Sequence, residues 1–485
     1  MSIRSLEVPP DPCLAPHPDS AIRLASAVHR FPVPRINNGL DDLSFERAFR
    51  TTGSHPSTKA LASQADEARI SLSRALAGKG SNVSHQSIIN AAQTYIPLIH
   101  RIMLSCKFQP EAARLDERLV FDWTSGMEKD GKAFKSEAIM YELVMTVSSL
   151  ALGRYGKASE DSTSGDFASA SRELKQAAGI VAHLAEDQLP QWIARGTNVE
   201  DTNLPSEVSV GVCDSFKFLF LAIGQQMAVA TVLVKPGVPN YALLAKLTLA
   251  IAEYMELFSN TIRSEAQVQM PRIDQNFFSL ITFQMNLQRA LSNYFLARSI
   301  WADNDYGVAI SFLREATSYL RTRSGSSTRG MPTIDAKSSL LPLKDDLNDL
   351  QKHMGDLLNA YQIDNSKVYF EKVPDTLPEE KKIASGIMMM KAEAYELDQD
   401  VEPAPLEVPQ QRISGVGKPT TPGEDSDAAL ARDLQKKLNQ GWLPPPLEVP
   451  QQRMSGVGKP PTPEEDSDAA LARELQRKLD MGEEI

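Results

Sequence analysis

Between Thr58 and Tyr361 the chain consists of long stretches with apolar residues at three- and four-residue spacing and almost no internal proline. Segments 59–78, 86–106, 136–156, 168–194, 207–234, 240–264, 274–302, 306–322 and 337–361 all share this texture. That spacing gathers apolar side chains on one face of a helix, and the stretches are longer than strands run. The pattern predicts an all-α body. Around Tyr294–Trp301 and Ala309–Ala316, small alanines face bulky Trp301, Phe312 and Tyr319 across a short turn, as in tetratricopeptide-type hairpins. No 34-residue period runs through the body, so an irregular α-solenoid is expected rather than a regular array.

The ends have a different composition. Residues 1–57 are broken by Pro9, Pro10, Pro12, Pro16, Pro18, Pro32, Pro34 and Asn37-Asn38-Gly39, which reads as an irregular lead-in with a possible small N-terminal β element. Twelve of the 31 prolines lie between Pro403 and Pro463, and residues 391–485 carry −8 of the net charge of −11. Such a segment is expected to be a disordered acidic tail following a helical domain over 1–390. An acidic total argues against nonspecific nucleic-acid binding, which needs a basic surface. Cys13, Cys106 and Cys213 match no metal or redox spacing and read as core thiols in a reducing compartment. Glu7, Pro9, Pro10 and Asp11 interrupt any signal-peptide core. The most membrane-like window, Phe216–Val234, has Asp214, Lys217, Gln225 and Gln226 in or beside it and reads as a buried helix.

No catalytic constellation is legible. The chain has no phosphate loop with Lys and Ser/Thr, no zinc-binding His pair on a helix and no nucleophile elbow. His17, His29, His55, His85, His100, His183 and His353 are scattered, and Glu137 with Glu142, or Asp345 with Asp346, read as helix-surface charges. A non-enzyme without cofactor or metal is expected.

One stretch carries more information: Asp364-Asn365-Ser366-Lys367-Val368-Tyr369-Phe370-Glu371-Lys372-Val373-Pro374. Short polar side chains end a long helix here, and a Val-Tyr-Phe run expected to fold back onto the body follows before proline. This resembles the closing signature of the Bro-one domain of Alix-type and fungal pH-response adaptors of the ESCRT pathway. Upstream, Phe121-Asp122-Trp123, Tyr141-Glu142-Leu143-Val144, Gln176-Ala177-Ala178-Gly179-Ile180 with His183-Leu184, and Asn293-Tyr294-Phe295 keep the family's order over residues 57–387. The resemblance implies a curved, boomerang-shaped helical solenoid whose concave face binds the C-terminal helix of an ESCRT-III subunit. Val208, Val212 and Phe216 fall where that apolar patch is expected, although the same stripe also reads as core.

The tail contains a duplication, 405–440 and 446–481, in which Pro-Leu-Glu-Val-Pro-Gln-Gln-Arg at 405–412 recurs at 446–453. Each copy ends in a helix candidate, Asp425–Asn439 and Asp466–Asp480, whose leucines and alanines form one narrow stripe. A lone helix of about 15 residues is marginal in water and gains order from a partner. The pattern resembles the inverted ubiquitin-interacting motif. The resemblance makes Ala431 and Ala472 the close-approach residues, with Leu430, Leu434, Leu471 and Leu475 beside them and Asp427 and Asp468 toward ubiquitin's basic rim. Lys436-Lys437 and Arg477-Lys478 stand where that motif has acids. A different protein partner and a solvated helix are the other readings of the stripe, and the proline runs read as spacers or as ligands for proline-reading domains.

Together these features predict a non-enzymatic ESCRT-pathway adaptor, cytoplasmic and peripherally recruited to endosomes, acting in multivesicular-body sorting. Its expected partners are an ESCRT-III C-terminal helix and ubiquitin or ubiquitinated cargo, with no nucleic acid. The alternative is a signalling scaffold, for pH response or receptor regulation, that uses the same fold without ubiquitin binding. The last residues, Met481–Ile485, hold no prenylation cysteine, so recruitment is expected through partners or a face of the domain.

Overall fold

Apolar stripes on successive helices bury one another in chain order. The computed structural model describes residues 17–39, 42–78, 84–196, 202–322, 330–398, 401–408 and 470–477. The chain divides into one compact unit, residues 1–408 with 467–485, and a second, residues 409–466, outside the described residues.

The first unit opens with α1 (Asp19–Ala25), β1 (Arg35–Ile36) and α2 (Phe45–Ala48). Two long helices follow, α3 (Pro56–Leu76) and α4 (His85–Phe108), then the hairpin β2 (Phe121–Thr124) and β3 (Ala133–Ser136). The solenoid continues through α5 (Ile139–Ser164), α6 (Phe167–His183), the short α7 (Leu189–Ile193), α8 (Val210–Leu233), α9 (Tyr241–Glu265), α10 (Gln275–Ala302), α11 (Tyr306–Leu320) and α12 (Lys344–Asp364). From α3 to α6, and again from α8 to α12, each long helix packs on the next, and α6 packs on α8.

Local chemistry sets the helix ends. Asn240 caps α9 by accepting the Leu243 N–H, and Asp166 caps α6 by accepting that of Ser169. α5 stops at Gly165, whose φ of +85° suits a residue without Cβ. α8 is apolar around most of its surface, with Asp214 and Lys217 at one edge, and long enough to cross a membrane by composition, yet 78% of its most apolar window is buried in the protein. A helix so largely apolar belongs in a core.

The small sheet differs from expectation. Its order is β1-β2-β3, antiparallel, with Arg35 opposite Thr124 and Trp123 opposite Phe134. Two of its three strands come from residues 121–136, beyond the lead-in, because the buried Phe121 and Trp123 alternate with outward Asp122 and Thr124.

The domain boundary is also later than composition suggests. Residues 383–398 and 401–408 form an extended strap pinned to α9, α8, α6, α4 and α3. The Ile387 N–H donates to the Lys246 carbonyl at 3.1 Å, Glu393 N–H to Lys175 at 3.1 Å and Glu407 N–H to Thr52 at 2.8 Å. Gln225 in α8 accepts the Met389 N–H and donates to the carbonyl of Ile387, while Ser105 of α4 and Gln109, just past its end, accept the N–H groups of Ala404 and Leu406. Proline and acidic residues from 391 onward therefore do not mark the end of packing. Main-chain bonds hold the strap, and they need no apolar run. The first repeat's opening residues, Pro405-Leu406-Glu407-Val408, lie within this strap, so the early part of that copy is structural.

Candidate functional site

Buried acids hold the sheet to the helices. Glu142 is fully buried, not on a helix surface, because its carboxylate accepts from Arg69 Nε at 2.8 Å, Tyr95 Oη at 3.0 Å and Trp123 Nε1 at 2.6 Å. Glu207 accepts from Ser125 Oγ at 2.7 Å and the Gly126 N–H at 2.6 Å. Burial pushes the Glu207 pKa up, and those donors pull it partly back. Glu128 takes Ser206 N–H and Oγ at 2.8 Å and pairs with Arg272. Donors from separate elements converge on Glu142 and on Glu128, and Glu207 gathers the Ser125–Met127 loop, so each acid acts as a structural clasp. Glu137 and Asp346 do sit toward solvent and pair with Arg118 and Arg23. Burial pushes the Cys106 thiol up to about 11, and that of Cys213 higher still. Cys13 lies outside the described residues.

The closing signature forms a clamp. Asn365 Nδ2 donates to the Glu371 carbonyl and its Oδ1 accepts the Glu371 N–H, at 2.9 and 3.0 Å. The turn carries Phe370 at a φ of +56°. Tyr369 stacks on Tyr306 at 3.5 Å between centroids, and Trp301 stacks on Tyr361 at 3.6 Å. Of the Val-Tyr-Phe run, only Tyr369 packs back in this way, while Val368 and Phe370 remain exposed.

Val208, Val212 and Phe216 do not form a surface patch. Val208 ends a 3₁₀ turn, Ser206–Val208, while Val212 and Phe216 lie in α8, and all three are fully buried. Phe216 sits among the rings of Phe31, Phe220, Phe258 and Phe277, with centroids 5.7–5.8 Å apart. The spacing correctly identifies an apolar stripe, but α9 and the lead-in cover it.

Exposed apolar surface occurs one face away, beside the strap. Met388 is 41% exposed between Ile387 and Met389, which turn toward the core. In α9, Glu253 accepts the strap's Gly386 N–H at 3.1 Å, and Leu257, one turn on, is 39% exposed. The Phe216–Phe258 contact sets the register of antiparallel α8 and α9, so half-buried Phe218 lies near the level of Leu257. Lys217 edges this surface, paired with Glu186 at 3.1 Å and Asp214 at 3.0 Å. The sequence signal for this face was the Gly386-Ile387-Met388-Met389-Met390 run, in which Met388 faces out while Met389 and Met390 are buried, a difference visible only with the neighbours in place.

The tail stripe is described in part. Residues 470–477 form a helix in which Ala472 is 2% exposed and Leu475 7%, while Leu471 is 41% exposed. Leu471, Glu474 and Leu475 line one cavity with Val232 of α8, Leu243, Leu244 and Leu247 of α9, and Asn240. Asp427, Leu430, Ala431, Leu434 and Asp468 lie outside the described residues.

With this arrangement in view, the family model described as BRO1-like domain matches residues 50–411, three quarters of the chain. The chain belongs to the BRO1-like domain family. The matched region runs to residue 411 and so includes the strap. Among related sequences, BRO1 domain-containing protein BROX of Xenopus tropicalis is 25% identical over 341 residues, covering 67% of this chain and 75% of its own. Human BROX is 24% identical over 336 residues, covering 67% and 74%. Two solved structures share the fold. A Bro1 domain described as the basis for endosomal targeting aligns with a TM-score of 0.57 at 14% identity, covering 76% of this chain and 93% of its own. The ALIX BRO1 domain in complex with CHMP4C aligns with a TM-score of 0.55 at 14% identity, covering 76% and 96%. The BRO1-like domain is a helical protein-interaction fold, which suits a structure whose distinctive surfaces are apolar faces.

Proposed function

We propose that this protein is a non-enzymatic ESCRT-pathway adaptor that receives the C-terminal amphipathic helix of an ESCRT-III subunit on the face bearing Phe218, Leu257 and Met388. The observation that carries this reading is large apolar side chains exposed beside the strap on a rigid helical scaffold, the setting of helix-in-groove recognition. The ALIX BRO1 complex with CHMP4C supports an ESCRT-III subunit as the partner. The tail copies add a second, weaker attachment to ubiquitin on cargo through Leu430, Ala431 and Leu434, and through Leu471, Ala472 and Leu475, with Asp427 and Asp468 at the rim. Two linked weak sites gain avidity through effective concentration. The protein then acts in the cytoplasm at endosomal membranes, joining cargo capture to multivesicular-body formation.

The test is fluorescence anisotropy of a labelled ESCRT-III C-terminal helix peptide titrated with the full chain. Saturable binding is expected, weakened at least tenfold, about 1.4 kcal/mol, by Leu257→Asp or Met388→Asp with unchanged melting. Wild-type binding by both variants would remove this face from the account. Isotope-labelled ubiquitin titrated with the full chain, beside Leu434→Asp/Leu475→Asp, tests the tail. Shifts that persist in the double variant would assign ubiquitin binding elsewhere, and no shifts would favour the signalling-scaffold alternative.

A further inference from the structure

The helix at 470–477 has two turns, far below the length at which an isolated helix holds itself in water. Its order therefore depends on what it touches. Leu243 and Leu247 stand one turn apart on α9 with Leu244 beside them, and Val232 closes the cleft from the end of α8. With Leu471, Glu474 and Leu475 they line an open cavity of about 210 Å³, and Ala472 and Leu475 join the same buried apolar cluster as the domain core. The alanine lets the short helix approach closely, and the leucine supplies the buried area.

A second observation concerns the duplication. Ala429-Leu430-Ala431-Arg432-Asp433-Leu434-Gln435 differs from Ala470-Leu471-Ala472-Arg473-Glu474-Leu475-Gln476 only in the length of one acidic side chain. All the apolar chemistry that meets the cleft is present in both copies. Reach is also sufficient. The strap itself travels from its bond with Lys246 on α9 to its bond with Gln109 at the end of α4 within residues 387–406. The twenty residues 409–428 are the same length of chain, enough to bring the first copy back toward α9.

We propose that the cleft formed by Val232, Leu243, Leu244 and Leu247 is a receptor site for the tail's own Leu-Ala helix, occupied by residues 470–477 and open in exchange to residues 429–436. The consequence for function rests on the ubiquitin reading: the seated copy turns Ala472 and Leu475 into the domain, so the face assigned to ubiquitin is covered on one copy and free on the other. One cleft and two copies make a tail that always holds one reader in reserve. A partner that fills the cleft releases the second reader and makes the tail bivalent.

The test uses no ubiquitin, so it stands or falls apart from the cargo reading. A fluorescein-labelled peptide of residues 466–480 is titrated with the full chain and followed by anisotropy. A tethered segment competes at an effective concentration of about a millimolar. The wild-type chain should therefore bind the peptide about tenfold more weakly than Leu434→Asp/Leu475→Asp, in which neither copy can seat. Each single variant should stay within about twofold of wild type, because the other copy replaces it. In the double-variant background, Val232→Asp should abolish peptide binding with unchanged melting, and the milder Leu243→Ala should weaken it severalfold. Equal affinity for wild type and double variant, absence of binding to the double variant, or indifference to both cleft substitutions would overturn the receptor site. Full release by Leu475→Asp alone would overturn the exchange.

Discussion

Gly179 of α6 lies directly beneath the carbonyl oxygen of Glu393, so close that a Cβ at this position would collide with the strap's backbone. The same crossing is tied by Glu393 N–H to the Lys175 carbonyl at 3.1 Å and by Gln176 Nε2 to the Glu393 carboxylate at 3.1 Å. Gly179→Val should lift the strap at this point and lower stability by about 1–3 kcal/mol, the usual range for overpacking. Denaturant unfolding would measure the loss, and limited proteolysis should cut residues 391–398 faster than in the wild type. A variant with wild-type unfolding and wild-type cleavage would show that the strap does not depend on this close approach.

The Arg69–Glu142 pair gives a second expectation. Its side chains are almost completely buried, and Glu142 holds Tyr95 and Trp123 as well. Removing one partner leaves an uncompensated buried charge, so Arg69→Met should cost about 3–5 kcal/mol. Removing both charges, in Arg69→Met/Glu142→Leu, should restore part of that loss, although Tyr95 and Trp123 then lose their acceptor. A double-mutant cycle on denaturant midpoints checks this, and strict additivity of the two single variants would contradict it.

These two sites mark what was legible in the sequence. Gln176 to Gly179 stood out as a signature, and helical periodicity fixed α3 to α12 to within a few residues at most ends. Neither observation revealed that Gly179 makes room for a segment more than 200 residues away. The strap shows no helical stripe because main-chain bonds and scattered apolar side chains, Met389, Met390, Leu397 and Leu406, hold it together. Glu142 read as a surface charge because a buried acid cannot be recognised without its donors, and those come from α3, α4 and β2. The stripe of Val208, Val212 and Phe216 shows the remaining difficulty. Spacing identifies an apolar face, but only the neighbouring elements decide whether that face meets solvent or core.

Acidification should loosen the lead-in. Burial lowers the pKa of His29, whose ring packs 4.7 Å from Phe31 and 5.4 Å from Phe277, and of His17, whose Nε2 lies 2.8 Å from the Leu233 carbonyl oxygen. With folded-state values below the ordinary histidine value of 6.5, the unfolded chain takes up these protons first as pH falls. Their contribution is therefore complete above that value and is lost as pH drops through it toward the folded-state values. Melting should fall between pH 7.5 and pH 5.5, and His29→Phe, which keeps the ring and removes the proton site, should shrink that fall. An equal fall in the variant would remove His29 from the explanation.

Phe216 and Leu257 allow the packing argument to be tested against the docking argument in a single experiment. Phe216 is fully buried among four other aromatic rings, whereas Leu257 is exposed on the outer face of α9. Phe216→Ala should cost about 3–5 kcal/mol, the range for truncating a buried aromatic ring. It should leave the affinity of the remaining folded protein for an ESCRT-III helix peptide within about twofold of wild type, because Phe216 reaches the surface only through the helices it supports. Leu257→Asp should do the reverse: unfolding unchanged to within about 0.5 kcal/mol, as for surface substitutions away from special features, and peptide binding lost. Measuring unfolding and anisotropy on the same two full-length variants separates the cases. If Phe216→Ala kept wild-type stability and lost binding, the α8 stripe would be a docking surface after all, uncovered by a movement of the lead-in that carries Phe31 against it.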